Sequence, residues 1–420
     1  MMILAVFLVT LISVKADQSH LQSRYQCNES ESSEHPHHCH LMYLVARDPE
    51  QFASDRRCWS SNFGLTLSNY NEAARGEEAS HVIDAPDVMA VKRNLRTNAS
   101  KKTARSMLDA SSSSALPIVT AHGMGDSCFN EGSMQYITNR VADLTNQYAT
   151  CVPTGDNHHD DVLNGYFMSM NENIDIFAKK VKQDPKLSNG FHGIGFSQGN
   201  NVLRGYIAKY NDPPVHTFLS INGVNAGISA VPYCIPSTGI FNVATDSNVT
   251  ENISTPLSRS KFHSKMCDGL MEIASHRAYS EFSQTHSFQA NYWRDPRPDE
   301  KINYQTYSQL AELGNENPVQ DSALNDNFNK TEKFVWVLAT EDSIVWPKEG
   351  EQWGAPNSEA EDPFTDILPM KETEWYKKDL FGLKTADEAG KFFYEKFKGD
   401  HLRFALADFD DWLRNYLLED

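Results

Sequence analysis

The chain has 420 residues, 40% of them hydrophobic and 11% aromatic. That is enough for one large α/β domain with additions, or for two ordinary domains. A formal net charge of −18 excludes a nucleic-acid surface, which needs clustered Lys and Arg, and works against docking on anionic lipid.

The chain opens on an apolar run from Met2 to Val14 that ends at Val14-Lys15-Ala16. A short terminal run with a small-residue exit predicts a signal peptide over residues 1–16. It is shorter than the roughly 20 residues a spanning helix needs. No later segment is apolar for long enough, so the sequence predicts no transmembrane span and a soluble mature protein. Five Asn-x-Ser/Thr sequons, at Asn28, Asn98, Asn248, Asn252 and Asn329, are glycosylation candidates that agree with the secretory pathway. Seven cysteines stand at Cys27, Cys39, Cys58, Cys128, Cys151, Cys234 and Cys267. An oxidising compartment would allow disulfides, and an odd count leaves at least one thiol without a partner in the chain.

Residues 17–115 lack sustained periodicity and carry Ser- and Glu-rich stretches, which predicts a low-complexity extension, either poorly ordered or weakly folded, of the propeptide kind or a small cysteine-stapled module. His35-Pro36-His37-His38-Cys39-His40 invites a metal reading, but a His-rich surface segment lacks the fixed geometry such a site needs, and no metal is expected. From Leu116 the pattern turns regular. Pro117–Ala121 suits a strand buried on both faces. Met134, Ile137, Val141, Leu144 and Tyr148 repeat at helical spacing. Tyr148–Val152 is a candidate strand. Ile174, Phe177 and Val181 mark a helix closed by Asp184-Pro185. Phe191–Phe196 reads as a strand, Val202–Tyr210 as a helix face, and Val215–Ile221 as another strand. The alternation lapses over about 225–330, as an inserted cap segment would make it do. Phe334–Ala339 resumes the sheet, and Phe409, Trp412, Leu413, Tyr416 and Leu417 share a face of a last helix. The class is α/β, with a mainly parallel central sheet flanked by helices, in a domain over residues 116–420. There is no internal repeat.

The chemical signal is Gly195-Phe196-Ser197-Gln198-Gly199, a G-x-S-x-G elbow between a predicted strand and a predicted helix. Such a turn lifts the serine hydroxyl above the sheet and sets it near a helix N-terminus, which favours negative charge. The bare motif is weak, with on the order of 0.1 chance matches in a chain of this length; its strand-to-helix setting gives it force. A serine nucleophile needs a base, and the base needs an orienting acid, here in the chain order Ser, acid, His. Asp342 follows the strand Phe334–Ala339, with Glu341 as its rival. His401, one of fifteen histidines, follows a glycine turn before the last helix. His122-Gly123-Met124-Gly125-Asp126-Ser127 follows the first core strand, where a second oxyanion donor is expected. The expected donors are the amides of Met124 and Gln198.

Together these segments resemble the palmitoyl-protein thioesterases, of the type-one lysosomal kind, on the α/β-hydrolase fold. The resemblance runs in order through His122-Gly123-Met124-Gly125-Asp126-Ser127-Cys128, the elbow, Tyr292-Trp293-Arg294-Asp295-Pro296, Asp342-Ser343-Ile344-Val345 and Gly399-Asp400-His401-Leu402, from about Leu116 to the C-terminus. It implies a Ser197–Asp342–His401 triad, Met124 and Gln198 as the oxyanion pocket, and a Cys234–Cys267 disulfide. It further implies S-palmitoylated proteins or palmitoyl-CoA as substrate, no cofactor, and a lysosomal or secreted location. The cap implied for 225–330 offers Leu270, Ile273, Tyr279, Phe282, Phe288, Tyr292 and Trp293 to line an acyl groove or to form its own small core. Phe129 stands where the family carries a second cysteine, and Arg294 where it carries histidine. The helices beside the elbow hold no cysteine. A lipase or carboxylesterase on the same fold, and an inactive lipid-binding protein, are the rival readings.

Overall fold

The computed structural model describes residues 116–418, apart from 233, 235, 238–239, 242–266 and 268. The expectations for the signal peptide, the extension 17–115, Asn28, Asn98, Asn248 and Asn252, and the pairing of Cys27, Cys39 and Cys58 lie outside the described residues.

Six strands form the central sheet, the inner ones buried on both faces as a covered parallel sheet requires. These are β1 (Ile118–Ala121), β2 (Ala149–Cys151), β3 (Phe191–Phe196), β4 (Val215–Ile221), β5 (Lys333–Ala339) and β6 (Phe392–Phe397). They make one sheet in the order β6-β5-β4-β3-β1-β2, and every pairing is parallel. Parallel neighbours need crossovers, and helices supply them. Those between β1 and β4 are α1 (Met134–Thr145), α2 (His158–Phe167), α3 (Met170–Gln183) and α4 (Gly199–Lys209). Local chemistry bounds them. Asn146 ends α1 in the left-handed conformation, with φ 53°. Asn157 caps α2 by accepting from the Asp160 N–H. Ser169 and Glu172 form a reciprocal capping box on α3.

On one face of the sheet, Ile118, Ile194, Phe196, Leu219, Ile221, Val335 and Val337 form a core with Phe409, Trp412 and Leu413 of the last helix, Leu406–Tyr416. Among the described residues β6 lies at one edge of the sheet beside β5, and its aromatics Phe393 and Tyr394 are exposed. Short helices occupy the interval before β5, among them α5 (Glu281–His286), α6 (Phe288–Asn291), α7 (Lys301–Tyr307), α8 (Gln309–Leu313) and α9 (Ser322–Lys330).

Two disulfides close the described chain. Cys234–Cys267, with Cα atoms 5.4 Å apart, ties the start of the cap segment to a helical residue further along it. In the chain-entropy picture a loop of that size stabilises by about 3–4 kcal/mol. Cys128–Cys151 joins the loop after β1 to the end of β2, a pairing the sequence reading left unassigned.

Candidate active site

Ser197, Asp342 and His401 sit on three loops that leave the C-terminal ends of β3, β5 and β6, where open parallel sheets gather their chemistry. Ser197 holds φ 51°, a left-handed conformation that costs energy for a residue with a Cβ. The surroundings enforce it. The Ser197 N–H donates to Ile221 O at 3.0 Å, and Asn200 Nδ2 donates to Ser197 O at 2.9 Å and Ile221 O at 3.0 Å. Glycine is required on either side of the turn. A Cβ on Gly195 would stand 2.4 Å from Asn200 Oδ1, and one on Gly199 would stand 2.4 Å from Ala121 O.

The three side chains form an unbroken relay. His401 Nε2 lies 2.8 Å from Ser197 Oγ, and His401 Nδ1 lies 2.6 Å from Asp342 Oδ2. The other Asp342 oxygen accepts from the Ile344 and Val345 amides at 2.8 and 2.7 Å. Burial pushes the Asp342 pKa up, but the hydrogen bond and charge of His401 outweigh it and hold the carboxyl below its usual range. Asp342 is therefore an anion against the imidazole. Its rival Glu341 is exposed, and its backbone N–H donates to Gly399 O.

The β1 loop comes up against the elbow. A Cβ on Gly123 would lie 3.2 Å from Ser197 Cβ, so Met124, the next residue, borders the nucleophile. Among the described residues no group accepts from the backbone N–H of Met124 or of Gln198. Their side chains meet a common partner, because Tyr292 Oη contacts Met124 Sδ at 3.9 Å and donates to Gln198 Oε1 at 3.2 Å. Gln289 Nε2 also donates to Gln198 Oε1 at 2.8 Å, and both Gln289 Nε2 and Gln198 Nε2 donate to Gly165 O. Two free amides beside an activated hydroxyl make an arrangement suited to holding a tetrahedral oxyanion.

Residues 117–401 match the family model for palmitoyl protein thioesterase. The chain belongs to this family and is a thioester hydrolase. It is 30% identical over 289 residues to palmitoyl-protein thioesterase 1 of Caenorhabditis elegans, an alignment spanning 69% of this chain and 87% of that one. Palmitoyl-protein thioesterase 3 of Dictyostelium discoideum is 27% identical over 299 residues, spanning 71% and 89%. Among solved structures, the RedJ thioesterase of the prodiginine pathway of Streptomyces coelicolor aligns at 11% identity and a TM-score of 0.32, covering 80% of this chain and 97% of that one.

Several further contacts order the site of this thioesterase. Asp400 accepts from Ser343 N at 2.7 Å, Ser343 Oγ at 2.8 Å and His401 N at 2.7 Å, and so ties the acid loop to the base loop. Asn222 Oδ1 accepts from Leu402 N at 2.9 Å. Arg294 is paired through both its terminal nitrogens with Glu316, at 2.8 Å each, while its Nε donates to Ala226 O. It therefore pins the cap segment to the loop after β4. Of the candidate groove residues, Tyr292 borders Met124 and Gln198, and Phe288 packs on Tyr292 with ring centroids 5.9 Å apart. Tyr279 accepts from Asp295 N and packs edge-on to Tyr304 inside the cap. Phe282 stacks on His286. Leu270 and Trp293 are buried and Ile273 is half-buried.

The β1 loop is anchored from below by Asp161, which is fully buried. Its carboxylate accepts from Ser127 Oγ, Cys128 N, Thr154 N and Gly155 N at 2.7–2.9 Å. His122 Nε2 lies 3.3 Å from Asp161 Oδ1. Burial works to lower the His122 pKa, but the hydrogen bond and charge of Asp161 outweigh it and raise the value above the ordinary one. Burial likewise works to raise Asp161, yet His122 and the loop amides carry it far below the usual carboxylate range. The depressed Asp161 contributes stability present above its unfolded value, about pH 4, and lost as pH falls through its folded value. The raised His122 contributes stability present below about pH 6.5 and lost as pH rises through its folded value. Both contributions are full together only in the acid window between about pH 4 and 6.5. The unfolding midpoint of the wild type is therefore expected to fall more between about pH 5 and pH 8 than that of His122→Asn. Equal falls in paired thermal melts would remove the pair as a source of acid stability.

Proposed function

We propose that this chain hydrolyses long-chain fatty acyl thioesters, palmitoyl-cysteine of proteins or palmitoyl-CoA among them, through an acyl-enzyme on Ser197. The observation that carries this reading is the continuous Ser197–His401–Asp342 relay at 2.8 and 2.6 Å beside two unengaged backbone amides, in a chain of the thioesterase family. In the first half-reaction Ser197 Oγ attacks the thioester carbonyl carbon as His401 Nε2 takes its proton. The amides of Met124 and Gln198 donate to the oxyanion. The intermediate collapses, the C–S bond breaks, and the thiolate leaves with the proton from His401. In the second half-reaction water attacks the acyl-enzyme, His401 takes the water proton and returns it to Ser197, and the fatty acid departs. Asp342 stays ionised throughout and stabilises the imidazolium. None of these steps calls for a cofactor.

The proposed location is the secretory pathway, lysosomal or secreted. Relatives named lysosomal thioesterases support it, as do a terminal run of signal-peptide type and an acid-favouring His122–Asp161 pair. Among the described residues no helix is long and apolar enough to cross a membrane. Of the sequons, Asn329 lies half-buried in α9, with Nδ2 donating to Asn325 O at 2.9 Å. That amide nitrogen is poorly presented for a glycan.

Chain length tests the substrate class. Each buried methylene contributes about 0.8 kcal/mol, so a site built for a palmitoyl tail is expected to turn over acyl-CoA thioesters faster as the chain lengthens. The assay compares graded acyl-CoA thioesters below their micellar concentrations, with matched oxygen esters as controls. Equal rates on acetyl and palmitoyl thioesters would exclude an acyl groove. Alcohol release exceeding thiol release would favour the ester-hydrolase reading.

A further inference from the structure

A second carboxyl lies under the triad. Glu351 has no exposed surface, although an ionised carboxylate is costly to bury without a cation. Its Oε2 accepts from Asn222 Nδ2 at 2.8 Å and from the Ala339 N–H at 3.0 Å. Its Oε1 has no donor among the described residues. One ligating atom each from Glu351, Asp342 and His401 fall within 4.8 Å of one another. The two hydrogen-bonded partners of Glu351 lead to both triad loops. Ala339 is the last residue of β5, and its carbonyl accepts from Asp342 N. Asn222, left-handed at φ 45°, uses its Oδ1 to hold Leu402 N next to His401.

Two carboxyls this close and this buried do not both ionise. The surroundings choose between them. Asp342 has the imidazole and two backbone N–H donors. Among the described residues Glu351 has neither an ion-pair partner nor an N–H donor for Oε1. We propose that Glu351 is a positioning residue for the triad. It stays un-ionised, donates its Oε1–H to the Asp342 carboxylate, and with Oε2 fixes the loops that carry Asp342 and His401. Burial and the adjacent Asp342 charge push the Glu351 carboxyl well above its ordinary range, in the direction the geometry requires. Among the described residues, Asp342 and His401 are the titratable groups placed against it. Asp400 is spent on Ser343 and the His401 backbone.

The charge state of Glu351 has an opposite sign of effect on His401 in the two cases. A neutral donor to Asp342 draws charge from that carboxylate. Removing the donor makes Asp342 a stronger partner for imidazolium, so the acid limb of the kcat/KM profile, which reports the base, moves to higher pH. If Glu351 were instead ionised, neutralising it would move the limb to lower pH.

The inference rests on the triad reading, and its first test does not depend on turnover. Infrared spectra of the whole protein at neutral pH should contain the carbonyl stretch of an un-ionised carboxylic acid, and Glu351→Gln should remove it. In Glu351→Gln, which keeps a donor and an acceptor in the same places, the acid limb of kcat/KM should hold its position. In Glu351→Met, which keeps the volume without a donor, the limb should rise by about one to two units, the scale of one hydrogen bond to a charged group. A purely structural role would leave the limb in place. If Glu351→Met does not fold, the infrared band and the Glu351→Gln profile still decide. No difference band between wild type and Glu351→Gln, or a downward shift of the Glu351→Gln limb, overturns the proposal. Ser197→Ala separates this from failure of the triad itself: an inactive Ser197→Ala enzyme without the band sinks only the role of Glu351.

Discussion

Ser197→Ala is expected to lower kcat for thioester hydrolysis by on the order of 10⁵-fold or more while leaving the fold intact. The substitution removes one oxygen and keeps the Cβ that the elbow already holds. The strained φ of 51° remains, held by Ile221 O and Asn200 as before. Loss of rate would therefore come from the chemistry. His401 Nε2 would face an empty position, no acyl-enzyme could form, and only the oxyanion amides and substrate binding would remain to speed attack by water. The checks are thiol release from palmitoyl-CoA, the unfolding midpoint, and mass spectrometry for a palmitoyl adduct on the peptide bearing Ser197. A folded variant with near-normal turnover would remove Ser197 as nucleophile.

The parts of the fold that were legible in the sequence are those where burial writes a pattern. β3 and β4 are mainly apolar and almost wholly buried because both faces are covered, and their bounds were read directly as Phe191–Phe196 and Val215–Ile221. The strand read as Phe334–Ala339 begins one residue earlier, at the half-buried Lys333. β6 was not read, because an edge strand with Phe393 and Tyr394 exposed and Phe397 buried has neither a continuous apolar run nor clean alternation. α2 escaped for a related reason. Its His158-His159-Asp160-Asp161 start looks like a polar loop, yet Asn157 caps it and Asp161 turns inward to hold the β1 loop. Ser197, Asp342 and His401 carried a signal through motif order and position after strands. Glu351, Asn222 and Asp161 carried none, because each acts by bridging segments far apart in sequence. The distance from Asn222 to Glu351 is 129 positions along the chain and 2.8 Å between atoms. Glu and Asp are ordinarily surface residues, so a buried acid is invisible until the packing around it is known.

Asp342→Asn is expected to keep the structure and lose about 10⁴-fold in kcat, as removal of the orienting charge of a triad does. Two effects act in the same direction. The amide cannot offset the positive charge that His401 acquires when it takes the Ser197 proton. Its Nδ2 also donates where Asp342 Oδ2 accepts, so the imidazole turns its lone pair toward residue 342 and presents N–H to Ser197 Oγ, the wrong tautomer for a base. The fold should survive, because the Asn Oδ1 can still accept from Ile344 and Val345 as Asp342 Oδ1 does at 2.8 and 2.7 Å. Glu341 provides the control. It is exposed, and among the described residues its contact is the backbone N–H on Gly399 O, so Glu341→Gln should change kcat/KM by less than about twofold, as surface substitutions do. The measurement is the pH–rate profile of both variants beside the wild type. Because the deficit in Asp342→Asn arises partly from the wrong tautomer, rate should recover somewhat at alkaline pH, where the misplaced proton is more easily lost. A large loss in Glu341→Gln with a nearly unaffected Asp342→Asn would transfer the role of the acid to Glu341.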